Sequence, residues 1–225
     1  MDYCQTEHYE ALLDGMGVKT KRVNGVLFRH RRLWYWDAFS PTPEQAYELT
    51  IESPVKGRIL GVPGTDIFLG TPMSIQVVDL PFVLQGKDKR AVRAGLNRSA
   101  EQGVTVRMCD DFTDWCFSAG ELWPNHRRDA EWQYYGGQHT HFVASCKGDV
   151  VGTLGIYHWD GRATEIMSRT THDLNIQERL HVEAMRYAYE LGCDTFVLGG
   201  AGTDGIGQFK KKFRGREESV TNIKL

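Results

Sequence analysis

Apolar residues along this 225-residue chain change their period several times, and each change marks an element. The strongest alternation lies in His139–Cys146, Val150–His158 and Arg162–Arg169, separated by Lys147-Gly148-Asp149 and by Asp160-Gly161. Three strand-length runs joined by glycine turns predict an antiparallel meander. A helical period follows, with Leu180, Ala184, Tyr187 or Ala188, and Leu191 on one stripe and Gly192 as the stop. Asn175 stands before it with Glu178 at the third helical position, the arrangement of a capping box. Thr195–Leu198 is short, apolar and rich in β-branched residues, which predicts a buried strand. A helix between two strands of one sheet predicts a right-handed crossover with those strands parallel. Ile206–Phe213 then predicts a short helix carrying Lys210, Lys211 and Lys212.

Upstream the periods are weaker. Tyr9–Met16 is weakly helical, and Val26–Phe39 alternates apolar with charged residues as a half-buried strand does. Ser40-Pro-Thr-Pro43 ends that strand and opens a short helix through Leu49. Ile51–Leu80 is broken by seven prolines and glycines, leaving strand-like fragments around Ile59, Ile67–Leu69 and Ile75–Val78 with no evident order. Lys87–Gln102 predicts a basic amphipathic helix with Ala91, Ala94 or Gly95, and Ala100 on a small-residue face and Gly103 as its stop. Val104–Met108 predicts a strand and Asp110–Ala119 a helix with Phe112, Trp115 and Cys116 inward. Arg127–Gly137 is polar and aromatic and predicts a helix that breaks at Gly136-Gly137.

A hydrophobic fraction of 41% and a charged fraction of 25% suit a soluble domain with a sizeable core. The formal net charge of -2 gives no global attraction to nucleic acid, so any such contact must be local. Lys19, Lys21, Arg22, Arg29, Arg31 and Arg32 form one such crowd, ordinarily a solvated face and otherwise a groove for a polyanion. Trp34, Tyr35 and Trp36 beside it are expected to pack at the core or an edge. No apolar run is long enough to span a membrane, and polar Met1–Glu10 is not expected to be a leader peptide. Five cysteines without Cys-x-x-Cys predict a reduced, cytoplasmic setting and no catalytic cysteine. His139 and His141 would share a strand face, but no third ligand stands at a recognisable spacing, so no metal is expected.

The chemistry concentrates after Thr195. Gly199, Gly200 and Gly202 end the strand and let backbone approach a ligand without a Cβ in the way. Gly200, Gly202 and Gly205 fit G-x-G-x-x-G, but the dinucleotide fold needs a further strand and an acidic residue about 20 positions on, and the chain ends at Leu225. A phosphate-binding P-loop lacks its Gly-Lys-Ser/Thr here. Strand, glycine loop and basic helix together predict a site for an anionic group. Lys210, held at the strand end, is placed to meet negative charge as it develops, unless it is simply one of three solvated lysines. As a general base the sequence offers Asp204 in the glycine loop, and Glu165 or His172 bordering the end of the meander.

Two segments carry more than local structure: Leu84-Gln-Gly-Lys-Asp-Lys-Arg-Ala-Val-Arg-Ala94 through Ala100-Glu-Gln-Gly-Val-Thr-Val106, and Leu191-Gly-Cys-Asp-Thr-Phe-Val-Leu-Gly-Gly200 with Gly205-Ile-Gly-Gln-Phe-Lys-Lys-Lys-Phe213. The first resembles the opening, and the second the end, of the second GNAT-type domain of FemABX-like transferases in the GNAT acyltransferase superfamily. The resemblance implies an α+β, GNAT-like mixed sheet, in which the meander plus one parallel crossover strand is flanked by helices. It divides the chain into an N-terminal extension or partial subdomain, 1–80, and a transferase domain, 81–225. It also implies amide-bond formation, with an aminoacyl-tRNA as donor, a small-molecule or peptide amine as acceptor, and neither cofactor nor metal. Lys210 matches the lysine of the family's Phe-Lys pair, beside Phe209, and would stabilise the tetrahedral oxyanion. Lys87, Arg90, Arg93, Gly200, Gly202 and Lys211 are then expected at the phosphate-rich donor, and Glu165, Arg169 and His172 at the acceptor. Two other readings share the fold. One is an acyl-CoA-dependent GNAT N-acyltransferase, whose pyrophosphate turn is replaced here by glycine-free Arg169–Gln177; the other is a non-catalytic binding module.

Overall fold

Alternation in the second half of the chain folds as its period dictates. In the computed structural model, β6 (Val104–Met108), β7 (His139–Cys146), β8 (Asp149–Trp159) and β9 (Arg162–Thr170) pair antiparallel in sequence order. α4 (Ile176–Glu190) then crosses to β10 (Thr195–Gly200), which pairs parallel with β9. The structure describes residues 3–32, 35–39, 41–51, 56–63, 70–109, 138–170, 175–200 and 203–225. Among them the chain forms two units, Met1–Ile75 with Glu217–Leu225, and Gln76–Arg216. The expected helices at Asp110–Ala119 and Arg127–Gly137 lie outside the described residues, as do Trp34, Ile67–Leu69, His172 and Gly202.

The unit Gln76–Arg216 orders its strands β5-β10-β9-β8-β7-β6, where β5 is Gly70–Asp79 and contributes its second half. Ile176, Leu180, Ala184 and Ala188 recur every fourth residue along α4, so one stripe faces the sheet. They bury Leu154, Ile156, Ala163, Phe196 and Leu198 together with Val92 of α3 (Arg90–Glu101). Leu191, expected on that stripe, is exposed because α4 has ended one residue earlier. The capping box is a second departure. Asn175 does stand at the N-cap, but its Oδ1 accepts from Arg98 Nε at 3.1 Å. Glu178 is buried instead, where its Oε1 accepts from Lys212 Nζ at 2.7 Å. Gly95 of α3 makes room for it: a Cβ there would stand 2.8 Å from Glu178 Cγ. The next helix, α5 (Asp204–Lys211), starts at Thr203, whose Oγ1 accepts from Ile206 N at 3.3 Å.

The other unit repeats the same order of elements in shorter form. After α1 (Glu7–Gly15), strands β1 (Thr20–Val23), β2 (Val26–Arg32) and β3 (Tyr35–Phe39) pair antiparallel. α2 (Pro43–Ile51) crosses to β4 (Lys56–Pro63), which lies parallel to β3. Val26–Phe39 is therefore two strands rather than one, with Phe28 opposite Ala38. Val26, Phe28, Ala38, Ala46, Leu49, Ile59 and Val62 form this core with Ile223, which arrives from the far end of the chain. It belongs to β11 (Arg216–Lys224), antiparallel to β4. Its sequence, Arg-Glu-Glu-Ser-Val-Thr-Asn-Ile-Lys, has too little apolar alternation to announce a strand, and none is predicted there. The last nine residues thus group with the N-terminal unit, whereas the sequence division places them with 81–225.

The whole is an α+β structure, a mixed sheet flanked by five described helices. No described helix is long and apolar enough to cross a membrane.

Candidate functional site

Two parallel strands that begin together and then part create the site. Thr195, Phe196 and Val197 of β10 pair with Arg162, Ala163 and Thr164 of β9, and the register goes no further among the described residues. At the same level β9 carries a bulge against β8: Ile156 faces Glu165 and Gly155 faces Met167, leaving Ile166 as the extra residue. Such a bulge bends and re-aims a strand. Alternation puts Glu165 on the same face as buried Ala163, the face on which α4 packs.

There Glu165 meets His181 of α4. His181 Nε2 lies 3.3 Å from Glu165 Oε2, and Ser168 Oγ donates to Oε1 at 2.9 Å. The other ring nitrogen, Nδ1, lies 2.7 Å from the Gln177 carbonyl oxygen, so Nδ1 carries a proton there. Rings pack around the imidazole: Phe209 at 5.1 Å, Phe213 at 5.5 Å, and the two phenylalanines 5.4 Å apart. Burial alone would push the Glu165 carboxyl up. The hydrogen bond and charge of His181, the charge of Lys210 and the Ser168 bond outweigh it and hold the carboxyl below its ordinary value.

Lys210 is the cation of this cluster. It is the buried residue of α5, and its Nζ donates to the Leu198 carbonyl at the end of β10. A solvated lysine is the alternative, and burial overturns it. Gly199, at φ 72, follows that carbonyl, and a Cβ there would lie 3.6 Å from Nζ. Burial lowers the Lys210 ammonium pKa, and Glu165 offsets part of that. The arrangement is a desolvated ammonium and a desolvated carboxylate at the mouth of two parting strands, a place where charge interactions are strong.

Lys89 joins the support of this helix. Its Nζ donates to the Phe213 carbonyl at 2.5 Å and lies 4.8 Å over the Phe82 ring, and burial lowers its pKa. Neither His181 nor Lys89 stands out in the sequence. A histidine in a helix and a lysine in a basic run have ordinary local patterns, and only their packing distinguishes them.

The other expected residues fall in different places. Phe209 packs on His181, as above. Asp204 is exposed in the first turn of α5, where a carboxylate complements the helix dipole. Lys87, Arg90 and Lys211 are exposed, Lys87 in the approach to α3 and Arg90 as its first residue. Arg93 Nη1 donates to the carbonyls of Leu84 and Gly86, so this guanidinium fixes the approach to α3. Gly200 is the last residue of β10, and Arg169 is exposed near the end of β9. His172 and Gly202 lie outside the described residues. Among those described, no group of three or more His, Cys, Asp or Glu is placed to hold a metal ion.

No family model matches this chain, and no curated protein sequence does. Solved structures do share its fold. The C-terminal domain of a protein assigned as a lysylphosphatidylglycerol synthetase from Agrobacterium fabrum superposes with a TM-score of 0.67 at 18% identity, over 96% of this chain and 86% of that one. L-PGS from Bacillus licheniformis gives 0.66 at 14% identity, over 96% and 90%. FemX gives 0.63 at 11% identity, over 100% and 92%. The fold is FemABX- and GNAT-like.

Proposed function

We propose that this chain is a GNAT-type transferase that moves an aminoacyl group from tRNA to the amine of a small molecule or peptide. The observation that carries the reading is the buried Lys210 ammonium at the parting of β9 and β10, within the field of Glu165. Its fold is that of FemX and L-PGS.

In this reading the amine nitrogen attacks the ester carbonyl carbon, and its C–O π pair moves onto oxygen. Lys210 meets that oxyanion, where loss of one donor costs about 2.7 to 4 kcal/mol of transition-state stabilisation. Glu165 takes the proton leaving nitrogen, with His181 and Ser168 fixing its two oxygens. The tetrahedral carbon then re-forms its carbonyl, the C–O bond to the ribose breaks, and the leaving oxygen receives the proton. Glu165 is preferred to Asp204 as base because it is desolvated and held on both oxygens, whereas Asp204 is exposed. Arg90, Lys87 and Lys211 offer cations for the donor's phosphates, and Arg169 stands near the acceptor.

The test is a mixed pool of amino acids, ATP, aminoacyl-tRNA synthetases, total tRNA and candidate amines, with amide products read by mass spectrometry. A product that disappears with ribonuclease is expected, and Lys210→Ala should lower its turnover about 10²- to 10³-fold with donor binding little changed. Product formed only from acyl-CoA would replace the donor, and equal losses in turnover and binding would end the oxyanion role.

A further inference from the structure

A second feature lies in the unit Met1–Ile75 with Glu217–Leu225, on the sheet face opposite its core. Strand alternation puts Phe28, Ala38, Ile59 and Ile223 on the core side, and Arg29, Asp37, Arg58 and Lys224 on the other. The register aligns these four: Arg29 faces Asp37, Asp37 faces Arg58, and Arg58 faces Lys224. Lys56 lies two residues from Arg58 on the same side, facing Tyr35. Arg31, displaced by the bulge in β2, reaches Asp37 at 4.0 Å.

Five cations therefore share this face with one carboxylate, which Arg58 and Arg31 approach directly, and that carboxylate is buried. The Asp37 side chain is 3% exposed, while those of Arg31 and Arg58 are 46% and 37% exposed. Arg58 holds it with Nε to Oδ1 at 3.1 Å and Nη2 to Oδ2 at 3.2 Å. Arg29 is set by a ring, its guanidinium 4.4 Å over Phe39. A planar guanidinium anchored on one side by a carboxylate or a ring keeps donors for a phosphate on the other. Arg22 does not belong to the row, because Glu10 and the carbonyls of Gly25 and Gln5 already hold it.

The dimensions suit a nucleic-acid strand. Four strands spaced about 4.8 Å apart place the row from Arg29 to Lys224 over about 14 Å. A row of that length can meet more than one phosphate of a single strand. A membrane surface fits less well, since none of the large exposed apolar side chains among the described residues stands at these positions. Tyr47 and Ile51 are exposed on α2, the helix packed on the core side.

We propose that this face binds the phosphate backbone of an RNA duplex through Arg29, Arg31, Lys56, Arg58 and Lys224. The choice of RNA rests on the tRNA donor proposed above, while the location rests on the sheet alone. With the full chain and an uncharged acceptor-arm RNA hairpin, fluorescence anisotropy across a salt series gives the slope of log affinity against log salt. Arg29→Ala with Lys224→Ala should reduce its magnitude by about 0.7 to 0.9 for each phosphate that is no longer neutralised. The charge-keeping pair Arg29→Lys and Lys224→Arg should leave it in place, with circular dichroism melts confirming that both proteins fold.

Lys210→Ala should bind the hairpin with the parental slope, so failure of the transferase reading and failure of this one are told apart. An unchanged slope in the alanine pair overturns the proposal. So does binding to vesicles containing phosphatidylglycerol that depends on the same residues when the hairpin does not bind.

Discussion

His141 shows how one buried side chain couples this fold to pH. Its imidazole lies on β7 against Gly155, where a Cβ would stand 2.5 Å from the ring carbon Cε1. Gly155 is thus the space the ring requires. Burial first, and the neighbouring His139 second, push its pKa well below 6.5. A base whose folded pKa is depressed binds its proton in the unfolded chain first. Stability is therefore fully present above 6.5 and declines as pH falls below that value, by up to about 1.4 kcal/mol per pH unit. Calorimetric unfolding between pH 7.5 and 5.0 should show the midpoint falling below pH 6.5, with much of that slope removed in His141→Gln. An identical slope in the variant would assign the acid sensitivity elsewhere. The sequence placed His139 and His141 on one face and could go no further. Whether two such histidines hold a metal, a substrate or only each other depends on what the neighbouring strand brings.

At the scale of elements, what is local was legible. The meander, the strand Val104–Met108 and the crossover helix follow from runs of side chains at periods of 2 or 3.6. Departures occur where a side chain chose a distant partner. Asn175 carries a capping residue's chemistry, yet Arg98, 77 residues away, takes its oxygen. Glu178 carries the box's second half, yet Lys212 holds it. β4 was illegible because Gly57 and Gly61 weaken its pattern, and Gly57 has a tertiary reason. In the parallel pair with β3, a Cβ at Gly57 would stand 2.1 Å from the Trp36 carbonyl oxygen, a backbone atom that cannot swing away. Gly57→Ala should therefore push the strands apart and destabilise the unit by about 3 kcal/mol. Denaturant titration of the variant checks this, and a loss under 0.5 kcal/mol, roughly the effect of a neutral surface change, would show that the pair relaxes freely.

For the molecule as a whole, the prediction concerns how burial sets a working range. Glu165 must be a carboxylate and Lys210 an ammonium for the proposed chemistry, and both pKa values are held low. The profile of kcat/KM should thus stay flat to below the usual carboxylate range on the acid side. It should fall on the alkaline side below the ordinary lysine value, because the depressed Lys210 loses its proton early. His181→Gln removes the hydrogen bond and charge that lower Glu165, so its acid limb should move up. Lys210→Arg should move the alkaline limb up. A uniform drop without movement of either limb would reduce both residues to structural roles.

Sequence by itself determined the meander, the crossover helix, the strand and short helix after it and their order, the resemblance to FemABX-like transferases and Lys210 as the residue to watch. Each depends on neighbours within a few positions, and local periodicity records those. Tertiary structure decided which distant side chains meet. It brought Glu165, His181 and Lys210 together from β9, α4 and α5, through the bulge at Ile166 and the parting of two strands. It returned β11 to complete the N-terminal unit, and lined Arg29, Asp37, Arg58 and Lys224 in one row. Such meetings are fixed by register and packing, in which a one-residue slip sends a side chain to the opposite face.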